Sequence, residues 1–248
     1  MQLRVCTYNI HKGFSQFNRR MMVHELRDRL RSLHADIVFL QEVQGLHLGH
    51  AHRHPEWPAS PQHEFLAQDI WSATAYGGNA IYDKGHHGNA MLSHYPILRS
   101  DNQDVSDHRF ERRGLLHCEI AHPGLATPVH CVCVHLGLIA GSRRRQMEAL
   151  AERMEALAGP DAPLIIAGDF NDWRNHADTV LARRLGLTEV FGIHNGHPAR
   201  SFPSTMPVLR LDRIYVRGFQ VSRSTAHFGP PWSRISDHAA LTADLTLQ

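Results

Sequence analysis

The stretch from Leu3 to Val43 constrains the fold more than any other. Residues 3–10, LRVCTYNI, form an apolar strand run that ends in Asn9 and Ile10. Residues 20–33 then place Met22, Leu26, Leu30 and Leu33 at helical spacing, and ADIVFLQEV is a second apolar run, with Gln41 and Glu42 at its end. Strand, helix and strand in this order make a β-α-β unit, with the helix laid over a parallel pair. Ligand sites in open α/β sheets lie at the carboxyl ends of such strands. Both strands deliver polar residues there.

The same pattern returns at PLIIAGDFNDWRN. Leu164, Ile165, Ile166 and Ala167 read as a buried strand that halts at Gly168 and hands Asp169, Asn171 and Asp172 to a turn. While the chain stays extended, Asp169 and Asn171 project to the same side. Further strands are expected at 88–95 (closed by Pro96), 113–121, 128–135 (ending in His135), 209–216, 219–227 and 239–246. Helices are expected at 142–158, with Ser142 as N-cap, and near 175–185. Residues 44–64, with five histidines, and the polar stretch to 207 read as loops. Strands dominate each half, which fits two packed sheets with helices outside better than one doubly wound sheet.

Composition limits the function classes. With 248 residues, 42% hydrophobic and 20% charged, one α/β domain over 1–248 is the simplest organisation. A net charge of +2 provides no strong field for nucleic acid, leaving short clusters such as Arg143, Arg144 and Arg145 as phosphate contacts. Cys6, Cys118, Cys131 and Cys133 fall in expected strands without a CxxC pair, which points to buried free thiols. The N-terminus lacks a signal-peptide apolar core, and no run has membrane-spanning length. The expectation is a cytoplasmic protein with no transmembrane segment and no obligate protein partner.

The polar residues that follow or interrupt the apolar runs carry the chemistry: Asn9, Glu42, His135, Asp169, Asn171, Asp212, Asp237 and His238. Singly, each has a structural reading as a turn former, cap, ion-pair partner or core histidine. Together they suit hydrolysis of a phosphate ester. Carboxylate and amide oxygens favour a hard cation such as magnesium, whereas zinc would ask for thiolates or clustered imidazoles. An aspartate can orient the attacking water and a histidine can meet the phosphate or the leaving oxygen. The histidines of the 44–64 stretch read as solvated, and His86 and His87 likewise, although their glycine-flanked loop could set one near the site.

In this order CTYNIHKG, FLQEV, GNAMLSHYPI, CVHLGL, IIAGDFND, LDRIYV and SDHAAL resemble the endonuclease/exonuclease/phosphatase superfamily over almost the whole chain. The resemblance implies an α/β fold, a four-layer α/β sandwich of two packed mixed β-sheets flanked by helices. It implies metal-site roles for Asn9, Glu42 and Asp237, with Mg2+ as cofactor and Mn2+ as a substitute. Asp169 and Asn171 match the pair that activates water and holds phosphate, His238 the essential histidine, and Asp212 the aspartate that orients it. His135 matches a histidine of the deoxyribonuclease and sphingomyelinase branches, without the glutamate that deoxyribonucleases pair with it. Asn89 and Arg113 match phosphate contacts, with Arg112 an equal candidate for the arginine.

The resemblance implies a metal-dependent phosphodiesterase or endonuclease. The alternative is an enzyme for a phospholipid head group, an inositol phosphate or another small phosphate ester. A catalytically inactive binding module would predict losses among Glu42, Asp169, Asn171, Asp212, Asp237 and His238, and none is missing.

Overall fold

Strand β1 (Gln2–Asn9) is buried on both faces, and this sets the layering. Leu3 and Val5 join one apolar cluster while Cys6 and Tyr8 join another, as the two-residue period of a strand requires. A sheet of such strands needs a cover on each side. The computed structural model describes residues 2–16, 19–47, 54–82, 85–108 and 111–247.

The first sheet adds β2 (Ile37–His47), β3 (Ala73–Tyr82), β4 (Gly85–Ser93), β11 (Phe219–His227) and β12 (Ala240–Leu247), in the order β11-β12-β1-β2-β4-β3. The second contains β5 (Ile97–Asp104), β6 (Gly114–Ile120), β7 (Val129–His135), β8 (Leu164–Asp169), β9 (Thr188–Glu189) and β10 (Asp212–Arg217), in the order β5-β6-β7-β8-β10-β9. Among the described residues, only β1–β2 and β7–β8 pair in parallel, so both sheets are mixed.

The sheets face each other across a core that includes Val5, Phe39, Met91, Cys131, Ile165 and Ile214. Outside the first sheet, α1 (Val23–Ser32) and α2 (Gln62–Ala67) supply Leu26, Leu30 and Leu66 to a second core. Outside the second sheet, α3 (Ala140–Leu157) seats Met147, Leu150 and Met154 on Val132 and Ile166. A π-turn, Asp178–Ala182, runs into α4 (Arg183–Leu185) beside it. The four-layer sandwich is the observed architecture.

Several local expectations are corrected. Strands β3 and β5 were not expected: β3 carries Gly77 and Gly78, and β5 is an edge strand with mostly exposed or half-buried polar residues, so neither shows an apolar run. Strand β2 continues to His47 and α2 occupies Gln62–Ala67, which shortens the expected loop at both ends. Residues 48–53 of the histidine-rich stretch lie outside the described residues. Ser142 is not the cap of α3, because the Arg143 N–H already donates to Ile139 O, at 2.9 Å, and Ile139 takes that place. All four cysteines are buried and free. Among the described residues, no helix is long and apolar enough to cross a membrane.

Candidate active site

The inter-sheet core ends in polar residues because the inward-facing alternation of each strand runs on past its apolar part. Leu3, Val5 and Thr7 lead to Asn9; Ile37 and Phe39 lead to Gln41; Cys131 and Cys133 lead to His135; Ile165 and Ala167 lead to Asp169. Asp212 opens the same inward row on β10, ahead of Ile214 and Val216. Pairing then aligns His135 with Asp169 and Asp169 with Asp212 across three adjacent strands. Gly168 makes that alignment sterically feasible. Its φ is 150°, and a Cβ there would sit 1.9 Å from Val134 O.

Asp169 is the hub. Its Oδ1 accepts the Asn171 backbone N–H at 2.9 Å and its Oδ2 accepts Asn9 Nδ2 at 3.1 Å. Around Oδ2 lie His135 Nε2 at 3.5 Å and His238 Nε2 at 3.8 Å. His238 Nδ1 donates to Asp212 Oδ2 at 2.8 Å, while the Phe202 ring lies 5.1 Å from the imidazole. Ser236 fastens this loop by donating to Asn9 O at 2.7 Å and accepting the His238 N–H at 3.2 Å. The expected same-side projection of Asp169 and Asn171 is replaced by an Asx turn. Asn171 has a φ of 49° and is not extended, so the Asp169 carboxylate folds back onto its N–H.

Burial and charge assign opposite states to the two histidines. Burial lowers the basicity of His238, but the carboxylates of Asp212 and Asp169 outweigh it and lift the imidazole to about 10. His135 is pushed well down by burial, with Arg113, His238, His87 and Lys12 adding to the effect. It is neutral. Burial, reinforced by Asp212, raises the Asp169 carboxyl to about 6 against the opposing pull of His238.

The metal-site candidates Asn9, Glu42 and Asp237 each meet the turn that follows β1. The turn after β1 holds three consecutive residues at positive φ, His11 at 45°, Lys12 at 59° and Gly13 at 77°. It brings His11 Nδ1 to 3.3 Å from Asp237 Oδ1 and Lys12 Nζ to 4.0 Å from Glu42 Oε2. Glu42 has a φ of 57°, and the β2–β4 register shifts around it between Leu40 and Val43. Non-glycine residues in this region cost about 1 kcal/mol each or more and persist where the fold over-determines them. Asn9 Oδ1 accepts the His11 N–H at 3.2 Å and has a second lone pair. Two partly exposed carboxylates and an amide oxygen are the donor types that a hard divalent cation takes. Asp169, Asp212 and His238 place ligating atoms within 4.8 Å of one another and are a second group in the site able to hold a cation.

Other expected contacts fall elsewhere. Asn89 donates both amide hydrogens to backbone carbonyls, Gly114 O at 2.9 Å and Cys133 O at 3.2 Å, so it ties the sheets together rather than offering a donor to phosphate. Arg113 is partly engaged by Glu111 Oε1 at 3.0 Å and Leu136 O at 3.2 Å. Asp172 turns away from the site, where its Oδ2 accepts the Ala177 N–H at 2.8 Å. The arginine cluster is spent on structure: Arg143 donates to Gly137 O and Leu138 O, Arg144 faces Glu148, and Arg145 pairs with Asp107. Conversely, His11, Lys12, Ser236 and Phe202 stand in the site without having been singled out. His87 is held at about 4 by burial, with Lys12 and Arg113 nearby. The sequence signal was position, just after Asn9 for His11 and Lys12 and before His238 for Ser236; His87 lies on β4 rather than in the expected loop, and Phe202 had no signal of this kind.

Residues 6–238 match the model of the Endonuclease/Exonuclease/phosphatase family. The Uncharacterized protein YbhP of Escherichia coli (strain K12) is 49% identical over 245 residues, covering 98% of this chain and 96% of that protein. Among solved structures, the Bacteroides thetaiotaomicron mannosyl-6-phosphatase Bt3783 aligns with a TM-score of 0.73 at 17% identity, covering 99% of this chain and 100% of that one. D. rerio TDP2, complexed with single strand DNA product, aligns at 0.71 and 19% identity, covering 99% of each chain.

Proposed function

Because the chain belongs to the Endonuclease/Exonuclease/phosphatase family, whose members hydrolyse phosphate esters, we propose that it is a divalent-metal-dependent phosphodiesterase acting as a single catalytic domain. One observation carries this reading: His135, Asp169 and Asp212 stand in register on adjacent strands, with His238 clamped between the two aspartates.

Asp169 takes the proton of the attacking water. A carboxyl lifted by burial toward neutrality is a stronger base than an exposed one, and Asn9 and the Asn171 N–H fix its orientation. His238, kept as imidazolium by Asp212, presents Nε2–H to the phosphoryl oxygens, where charge accumulates in the transition state. Neutral His135 offers its Nε2 to the phosphate or the leaving oxygen without adding charge beside Asp169. Asn171, anchored by Nδ2 to Leu136 O, keeps its other amide hydrogen for phosphate. Mg2+ or Mn2+ would be held by Asn9, Glu42 and Asp237 and would neutralise charge on the phosphate.

The test is turnover of bis(4-nitrophenyl) phosphate by the full chain with magnesium or manganese, beside plasmid DNA, RNA, inositol phosphates and phospholipids. Activity is expected to vanish in chelator and in His238→Ala and Asp169→Ala. Full turnover in either variant, or in chelator, refutes the mechanism. Cleavage of DNA in preference to every other substrate would favour the endonuclease reading of the same site.

A further inference from the structure

Exposed apolar side chains are distributed unevenly. Among the described residues, the edge that carries the site exposes Ile81, Leu138, Ile139, Trp173, Met206 and Phe228, drawn from five separate segments. Ile193, Val208 and Leu209 are exposed in the segments that border the Met206 groove, and the opposite edge exposes Leu98 and Leu157. Exposure is far from marginal, reaching 81% at Ile81 and 74% at Met206. Scattered single exposures would be ordinary; concentration around one mouth is not.

Each apolar group has an exposed arginine beside it. A groove of about 670 Å³ joins Ile81, Leu138 and Ile139 with Arg112 and with His87 and Arg113 of the site margin. Trp173 precedes Arg174. A second groove, of about 620 Å³, joins Met206 and Phe228 with Arg200. Among the described residues, Arg112, Arg174 and Arg200 have no ion-pair partner within 4.0 Å.

We propose that this rim docks the protein on an anionic phospholipid bilayer, so that the scissile phosphodiester reaches the site from a lipid surface. Isoleucine, leucine and methionine side chains gain by entering the acyl boundary, while the intervening arginines meet lipid phosphates. Nucleic acid would match the arginines but leave the aliphatic groups in water, since bases stack on aromatic rings. The inference rests on the phosphodiesterase reading for its substrate, but the docking itself does not.

The experiment is co-sedimentation of the full chain, in chelator, with phosphatidylcholine vesicles with and without about 30 mol % phosphatidylglycerol. Wild type is expected to sediment with the anionic vesicles and to stay behind with the neutral ones. Leu138→Ser/Ile139→Ser, checked for an unchanged melting curve, is expected to lose roughly tenfold in vesicle affinity. The same double variant should keep its turnover of bis(4-nitrophenyl) phosphate. Failure of wild type to bind anionic vesicles, or equal binding by the double variant, overturns the proposal. So does single-stranded DNA binding that exceeds vesicle binding and is weakened by the same substitutions. Vesicle binding without turnover of any phosphodiester would refute the enzyme and leave the docking intact; turnover without binding would do the reverse.

Discussion

Two clusters that draw on the second sheet contain comparable side chains and end in opposite electrostatic states. In one, Asp169, Asp212 and His238 gather at the end of the inter-sheet core; in the other, His117, Glu119 and His130 gather on β6 and β7. Ligating atoms lie within 4.8 Å in both, and the histidines are buried in both. Yet His238 is lifted to about 10, whereas burial pushes His117 down to about 4. The difference lies in the partner. His238 donates to a fully buried carboxylate at 2.8 Å, while His117 Nε2 meets His130 Nδ1 at 3.0 Å, with Arg153 and Arg99 in the surrounding field. Desolvation lowers each imidazole; the half-buried Glu119 opposes it at His130 without overcoming it, whereas Asp212, hydrogen-bonded to His238, and Asp169 reverse it.

Removing the carboxylate from the first cluster should have the largest effect. Asp212→Asn is expected to cost roughly three to four orders of magnitude in kcat, as loss of the orienting aspartate does in other histidine–aspartate pairs. The His238 imidazole, followed by NMR, should titrate at lower pH than in wild type. An unchanged rate would detach His238 from Asp212.

The second cluster should show itself in stability rather than rate. The folded-state value of His117 is depressed, so the unfolded chain binds the proton more tightly. Its stabilising contribution is complete above about pH 6.5 and is lost as pH falls toward about 4. The loss amounts to about 3 kcal/mol at most. His117→Gln should flatten that part of the urea-denaturation profile. Glu189 has the opposite sign: burial lifts its carboxyl to about 7 despite the Gly192 N–H, at 2.7 Å, so stability falls as pH rises from about 4.5 through 7. Glu189→Gln should remove that decline.

Smaller shifts separate metal holding from proton handling. Glu42→Gln is expected to raise the magnesium concentration for half-maximal turnover roughly tenfold or more, with the melting temperature in chelator little changed. A superimposable magnesium titration would remove Glu42 from the metal site. At the bottom of the scale, His117→Gln should leave kcat within about twofold, since the second cluster has no part in the proposed chemistry.

The sequence by itself determined the four layers and most of the residues at the strand ends. Apolar runs of strand length, with helical spacing between them, leave few ways to bury both faces of two sheets. Their inward alternation carried Asn9, His135, Asp169 and Asp212 to one edge. Tertiary structure decided what alternation cannot express. Register placed His135, Asp169 and Asp212 side by side, and left-handed backbone at His11, Lys12, Glu42 and Asn171 redirected side chains away from strand parity. It also consumed the donors of Asn89 and turned Asp172 toward a helix, because a hydrogen bond depends on where the partner backbone lies. Edge strands β3 and β5 escaped sequence reading because an exposed face needs no apolar run, and the charge on each histidine waited on its nearest neighbour in space.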